Sequence, residues 1–226
     1  AIDRARDAFA AAPTFDVSIE EVEGPPDLSR LIPYHRETNG TPPVSYDAFY
    51  SLSRQRRSVR WFLDKPVPRE TLDNAIRAAA QAPSACNRQP FQFRIFDDPD
   101  DATHIAKLAA GTKGYAENIP VTIAVVGRLR AYFAERDRHV IYIDGSLAAM
   151  SLMFALETLG LSSCPINWPD IEERERKMAD RLNLAPDERP IMLMAVGYPD
   201  PDGAVAASQK KSLDTLRSYD RVHPDG

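Results

Sequence analysis

Cysteine and histidine are scarce in this chain of 226 residues. The two cysteines, Cys86 and Cys164, form neither a disulfide framework nor a CxxC motif, so a reducing cytoplasm is the simplest location. The four histidines are scattered along the chain, at His35, His104, His139 and His223. This spacing predicts no metal site.

Long apolar runs and an excess of positive charge are also missing. The first fifteen residues lack the apolar core of a signal peptide, and the longest apolar stretch, 146–161, is too short and interrupted to predict a membrane span. The formal net charge is −5 and the isoelectric point is about 5.4, which argues against a nucleic-acid binder. We therefore expect neither a membrane nor a nucleic acid as partner.

Several motifs that carry reactive chemistry are absent. The sequence has no GxGxxG after a strand, no GxxxxGK[ST], no HExxH and no GxSxG. No nucleophile and base are set by their spacing, so no catalytic side chain is predicted. If the protein is an enzyme, the reactive chemistry belongs to a bound cofactor.

Arginine is concentrated in RQRRSVR, residues 54–60, which places four guanidinium groups in seven positions. Guanidinium groups with a short hydroxyl suit a phosphate, and the residues that would converge on it are Arg56, Arg57, Ser58 and Arg60. On this stretch alone, a solvated run of charges is the better interpretation. A second stretch, APSACNRQPF at 82–91, has small residues that allow a flat ligand to approach the backbone, although an ordinary capped loop would look the same.

Helical and strand periodicities alternate along the rest of the chain. Residues 1–45 carry six prolines and predict an extended arm, whereas 46–226 predict one domain that mixes α and β elements. Apolar spacing of three and four residues, or continuous β-branched runs, predicts the following elements. They are helices at 46–55, 68–82, 146–161 and 170–184, and strands at 91–98, 121–127 and 191–199. The helix at 170–184 is predicted to begin with a capping box formed by Asp170 and Glu173.

RRSVRWF, followed by a helix opened by Pro68 and then APSACNRQPF, resembles the nitroreductase family of FMN-dependent flavoproteins. CPINW at 164–168 and the basic tail SQKKSLD add to the likeness, which covers about residues 46–220. The resemblance implies an α+β, nitroreductase-like fold with a central mixed β-sheet flanked by helices. It also implies an intertwined homodimer with two flavins at the interface.

The resemblance also assigns roles to residues of this chain. Arg56, Arg57 and Ser58 would hold the FMN phosphate and ribityl chain, and Arg60 would lie at the pyrimidine edge of the flavin. The segment expected from the other subunit consists of Pro83, Ser84, Ala85 and Asn87. The residues along the other side of the flavin would be Pro165, Ile166 and Asn167, with Trp168 either beside them or in the core. Lys210, with Ser208 or Lys211, would complete the phosphate site, and the candidates for a further flavin contact are Lys113 and Asn118.

The activity implied is that of an FMN-dependent oxidoreductase. It would transfer hydride from NADH or NADPH through the flavin to a small-molecule acceptor, a nitroaromatic, a quinone or a similar compound. One alternative is a flavin-dependent reductive dehalogenase of the iodotyrosine deiodinase type, which is expected to have a long lid between the strand after QPF and the next strand. About two dozen residues lie there in this chain. The other alternative is a non-catalytic flavin-binding protein.

Overall fold

The computed structural model describes residues 42–220 and the single position 7. The proline-rich arm predicted for 1–45 lies outside the described residues except for position 7 and its last four positions, and its separation from the domain stays a prediction. The described helices are α1 Tyr46–Gln55, α2 Arg69–Ala79, α3 Pro99–Leu108, α4 Val140–Thr158, α5 Glu172–Leu182 and α6 Leu213–Leu216. The described strands are β1 Phe91–Phe96, β2 Val121–Arg128, β3 Ser162–Asn167 and β4 Glu188–Gly197.

The strands form one sheet in the order β1-β2-β4-β3, and each neighbouring pair runs antiparallel. A parallel contact comes from an isolated bridge between Ser58 and Ser163, at the edge formed by β3. Strand β2 is central and almost wholly buried, as its continuous run of β-branched residues predicts. The predicted α+β fold, a central sheet flanked by helices, is confirmed.

Helices cover both faces of the sheet, and alternate residues of β2 face the two layers. Ile123 and Val125 pack in a cluster with residues of α2 and α4, including Leu72 and Leu152. Ala124 and Val126 instead pack with residues of α3 and α5, among them Ile105 and Met178. Three of the described helices and strands, α3, β3 and the four-residue α6, are absent from the elements predicted by periodicity.

Helix α4 is longer at its beginning than the predicted 146–161, because it starts at Val140, and it ends at Thr158. Together with the turn before it, the stretch Glu135–Thr158 is long and apolar enough to cross a membrane by length and composition alone. The core helices of proteins that never enter a membrane pass the same test, and residues such as Ala148, Leu152 and Leu156 are buried inside this fold. Its apolar character is therefore weak support for a membrane span.

The capping box predicted at Asp170 is wrong. Helix α5 begins at Glu172, and its N-cap is Ile171, which has no side-chain capping bond. The first turn closes on the Ile171 carbonyl, which accepts hydrogen bonds from the backbone N–H groups of Arg174 and Glu175. Asp170 therefore lies one residue too early to cap the helix. By contrast, α1 has the predicted bounds, and Ser45 caps it by accepting from the Ala48 N–H.

Candidate functional site

The chain after α1 runs along the free edge of β3. We call residues 56–60 the arginine segment. Ser58 forms the parallel bridge with Ser163, and the Val59 N–H donates to the Ser163 carbonyl at 3.1 Å. Three residues beyond Val59, the backbone of Phe62 is held by Asn118, whose Oδ1 accepts from its N–H at 2.6 Å and whose Nδ2 donates to its carbonyl at 3.0 Å. The fold therefore joins RRSVR to SCPIN through backbone contacts, and the Asn118 amide is committed to the backbone.

The arginine segment contains N–H groups with and without a hydrogen-bond partner among the described residues. Arg57 donates to the carbonyl of Ala206 at 2.9 Å, which brings the C-terminal tail against the segment. Two buried polar atoms, Arg56 Nε and Ser163 Oγ, have no hydrogen-bond partner among the described residues. An unpaired buried polar group is costly, so this region fits an added acceptor such as a phosphate oxygen.

A cleft of about 330 Å³ lies beside the arginine segment. Arg57 and Val59 of the segment line it together with Glu157 and Ser162. Ser162 donates its hydroxyl to Glu157 at 3.1 Å. Burial raises the pKa of the Glu157 carboxyl above its ordinary value, although the Ser162 hydrogen bond and the charge of Arg56 act in the opposite direction. The cleft is thus lined by a carboxyl group, that of Glu157, as well as by the cation Arg57.

The lysines of the C-terminal tail follow Ala206 by four and five residues. Lys210 and Lys211 are exposed, and Nζ of Lys210 donates to the Ser208 hydroxyl at 2.7 Å. The contact that ties the tail to the arginine segment is made by Ala206, so the assignment of these lysines to a phosphate stays a prediction. Lys113 is exposed in a turn.

Strand β3 separates the predicted residues by alternation. Ile166 is buried in the core cluster with Cys164, whereas Asn167 is exposed and Pro165 is half-buried. Side chains two apart on a strand share a face, so Pro165 and Asn167 can face a ligand that the Ile166 side chain does not face. Trp168 is a core residue, and its indole N–H donates to Glu175.

The Arg60 guanidinium lies near the Cys164 thiol and the Tyr115 ring. Burial raises the pKa of the Cys164 thiol above its ordinary value, and the neighbouring charge of Arg60 acts in the opposite direction. The Arg60 guanidinium lies 5.8 Å from the ring centroid of Tyr115. Burial also raises the pKa of Tyr115, so both neighbours of this cation stay neutral near pH 7.

The second predicted segment, which we call the 83–89 loop, is held by contacts of a different kind. Ser84 Oγ accepts from the Gln89 N–H at 2.9 Å, and the side chains of Gln89 and Asn87 are hydrogen-bonded at 3.3 Å. Cys86, Asn87 and Gln89 all have positive φ, at 53°, 54° and 47°. The Ala85 N–H donates to both carboxylate oxygens of Asp144, at 3.3 and 3.2 Å.

The arginine segment and the 83–89 loop lie at opposite ends of the sheet. The segment is beside Ser163, which pairs through Val196 with the level of Val121 on β2. The loop leads into Phe91, which pairs with Gly127. Six residues of strand correspond to about 20 Å, and the loop and the segment also lie at opposite edge strands of the four. One chain therefore does not bring the two segments together.

Sequence reasoning missed several residues that shape these segments. Asn118 was considered as a ligand contact and is a backbone clamp, while Ser163 and Glu157 were not singled out. Asp144 could have been found, since it is a lone carboxylate in the first half of an otherwise apolar helix. Within residues 42–220, no group of three or more His, Cys, Asp or Glu side chains could hold a metal ion.

An antiparallel sheet lies between helical layers, and the arginine segment is joined to its edge. The sequence profile of the Nitroreductase family matches residues 53–113 and 103–198, and the chain belongs to this family.

The chain is similar to curated proteins named iodotyrosine deiodinase. It is 28% identical over 196 residues to iodotyrosine deiodinase 1 of Homo sapiens, covering 74% of this chain and 67% of that protein. It is 29% identical over 174 residues to the iodotyrosine deiodinase of Thermotoga neapolitana, covering 67% of this chain and 88% of that protein.

Solved structures of the family have the same fold. A nitroreductase family protein from Streptococcus pneumoniae superposes with a TM-score of 0.65 at 25% identity, covering 76% of this chain and 100% of that chain. An FMN-dependent nitroreductase from Clostridium difficile superposes with a TM-score of 0.58 at 23% identity, covering 78% and 99%.

Proposed function

We propose that this protein is an FMN-dependent oxidoreductase that takes electrons from NADH or NADPH and passes them to a nitroaromatic, quinone or similar small molecule. The observation that carries the proposal is the Ser58–Ser163 bridge, because it places RRSVR beside SCPIN. The unpaired Arg56 Nε beside this bridge supports an anionic ligand. The expected location is the cytoplasm.

The residues of the arginine segment would divide the work of holding FMN. Arg56 and Arg57 suit the phosphate, because a guanidinium donates charge-assisted hydrogen bonds to phosphate oxygens. Ser58 offers a hydroxyl at the position where the backbone is fixed against β3. Arg60, the last cation of the segment, is exposed and would lie at the pyrimidine edge of the ring.

FMN bound here would supply the hydride chemistry, taking two electrons from the nicotinamide and giving them to the acceptor. The contribution of Arg60 is electrostatic, because a cation near the ring favours the form that carries more negative charge. We assign no side chain as a general acid or base.

A complete site would need two copies of the chain. The 83–89 loop is at the far end of the sheet from the arginine segment, so it would meet the FMN held by the partner. Apolar side chains on the outer faces of α1 and α4 are exposed and offer a surface for that partner. They are Tyr46, Phe49, Tyr50, Ile143 and Leu147. Sedimentation at micromolar concentration should give a dimer, and an FMN-binding monomer would contradict this arrangement.

The experiment that tests the proposal is spectroscopic. Purified protein should bind FMN and show the absorbance of oxidised flavin, which should bleach on anaerobic titration with NADH or NADPH and return with a quinone. Flavin that binds but is not reduced by either nicotinamide would favour a non-catalytic flavin-binding protein. No FMN binding at all would exclude the proposed function.

Reductive dehalogenation is the second candidate, because the curated relatives described above are named iodotyrosine deiodinases. The segment between β1 and β2 argues against a long lid. It contains α3, whose Ala102, Ile105 and Ala106 are buried, and only a short connection before β2. Comparing kcat/KM for a nitroaromatic with that for iodotyrosine would decide, and a larger value for iodotyrosine would replace the first candidate by the second.

A further inference from the structure

Asp144 is a buried carboxylate in a helix whose other residues are mostly apolar. Its side chain belongs to α4, where the only other acidic residue is Glu157. Asp144 is 3% exposed. A buried carboxylate has to be paired or hydrogen-bonded, because its desolvation is otherwise prohibitive. The partners of Asp144 therefore show what this residue does.

Two donors satisfy the carboxylate. The Ala85 N–H lies 3.2 Å from one oxygen and 3.3 Å from the other. The Tyr132 hydroxyl donates to Oδ2. Burial, followed by the hydrogen bond to Asp144, raises the pKa of Tyr132 above its ordinary value, so the phenol stays a neutral donor. Both donors come from loops, so α4 acts here as the rigid support.

The loop that Asp144 holds is conformationally demanding. Cys86, Asn87 and Gln89 have positive φ, and each such residue costs about 1 kcal/mol or more unless the surroundings enforce it. The other end of the loop is held by Arg88, which donates to the Ala131 carbonyl at 2.7 Å and stacks over Phe133 at 4.3 Å. The loop is thus tied on both sides to the 131–133 turn and α4.

We propose that Asp144 is a positioning residue for the flavin site, fixing the Ala85 N–H and, through it, the shape in which the 83–89 loop meets FMN. This inference rests on the proposed function, in which that loop faces the cofactor of the partner subunit. A charge-assisted hydrogen bond to a backbone N–H is both stronger and more directional than a neutral one, which suits a loop that must be held against its own backbone preferences. Tyr132 has the matching role of orienting the carboxylate.

The test compares three variants by hydrogen–deuterium exchange of the apoprotein and by FMN titration. Asp144→Asn keeps the size of the side chain and removes its charge, Tyr132→Phe removes one donor, and Thr158→Ala is a control on an exposed position of the same helix. In Asp144→Asn we expect about tenfold faster exchange in the peptide 83–90 and about tenfold weaker FMN binding, the size of effect that loss of a charged hydrogen bond produces. Peptides of β2 and β4 should be unchanged.

Tyr132→Phe should change both readouts in the same direction but less, and Thr158→Ala should change neither. Tyr132→Phe keeps the test valid if Asp144→Asn fails to fold. Unchanged exchange at 83–90, or an equal acceleration in β2 and β4, would overturn the anchoring role. Faster loop exchange with unaltered FMN affinity would overturn the link to the cofactor. If the wild-type protein binds no FMN, the proposed function fails, whereas the exchange comparison still decides whether Asp144 fixes the loop.

Discussion

The two carboxylates of α4 stand at the two segments of the proposed site and act differently there. Asp144 accepts from the backbone of the 83–89 loop, whereas Glu157 lines the cleft beside the arginine segment. At a helical rise of about 1.5 Å per residue they are about 20 Å apart. One helix therefore supports both segments while keeping them separate within a chain.

The comparison shows two ways of preparing a binding surface. The arginine segment is fixed by its backbone, through the bridge at Ser58, and its side chains remain available for an anion. The 83–89 loop is fixed through side chains, those of Ser84 and Asp144, and presents a backbone with positive φ. We infer that the first segment contributes charge and the second contributes shape.

The largest expected effect is the loss of FMN affinity when a charge of the arginine segment is removed. Arg56→Ala or Arg57→Ala should weaken FMN binding roughly ten- to a hundredfold, since loss of a charged hydrogen bond costs about 1.5–3 kcal/mol. The measurement is fluorescence titration of apoprotein with FMN. Arg54→Ala is the matched control, because Arg54 is exposed in the last turn of α1 and should leave the affinity unchanged. Equal affinities in all three variants would make the segment a solvated run of charges.

Within the arginine segment, Arg60 and Arg56 should affect different properties of the bound flavin. Arg60→Gln should lower the two-electron reduction potential of bound flavin by roughly 30 mV, which corresponds to about 1.4 kcal/mol, because a cation beside the ring stabilises the reduced form. Arg56→Ala, near the phosphate, should change affinity and leave the potential nearly the same. Spectroelectrochemistry on saturated variants gives both values. Identical potentials for wild type and Arg60→Gln would move Arg60 away from the ring.

A smaller effect, on the free energy of unfolding, is expected from the backbone conformation of the 83–89 loop. Cys86 has φ of 53°, a conformation that glycine adopts without the penalty of about 1 kcal/mol that other residues incur. Cys86→Gly should raise the free energy of unfolding by up to about 1 kcal/mol. Cys86→Val, which introduces a β-branched side chain, should lower it by about the same amount. Cys86→Ser, which keeps the backbone demand, is the control. Urea unfolding that cannot distinguish Gly from Val would show that the loop is not strained at this position.

The smallest effect concerns the pH dependence of stability through Glu157. Burial raises its pKa, so the folded protein holds this proton more tightly than the unfolded chain does. Its contribution to the free energy of unfolding therefore falls as pH rises from the ordinary value of 4.5 through the raised one. In Glu157→Gln this decline should disappear when urea unfolding is measured across a pH series.

Glu117→Gln provides the control of opposite sign. The hydrogen bond from Lys107 lowers the pKa of Glu117, so its contribution is present above 4.5 and is lost as pH falls. A Glu157 variant with the same pH slope as the wild type would show that this carboxyl is not perturbed.

Local sequence patterns predicted much of the fold. Residues 46–55 and 121–127 were assigned almost to their bounds, because cap residues and runs of buried apolar side chains act within a few positions. The assignment failed at Asp170, where a capping motif exists in the sequence but the first turn closes on Ile171. Strand β3 was missed because SSCPIN has little periodicity and becomes a strand only by pairing with β4.

The sequence by itself determined the family, the clustering of arginines at 56–60 and the helical and strand periods, all of which depend on residues close together in the chain. Only the tertiary structure decided that Ser58 pairs with Ser163, that Asp144 receives the Ala85 N–H, and that the two segments lie at opposite ends of the sheet. These contacts join backbone groups far apart in sequence. Every residue except proline carries the same backbone donor and acceptor, so no residue pattern announces which of them will meet.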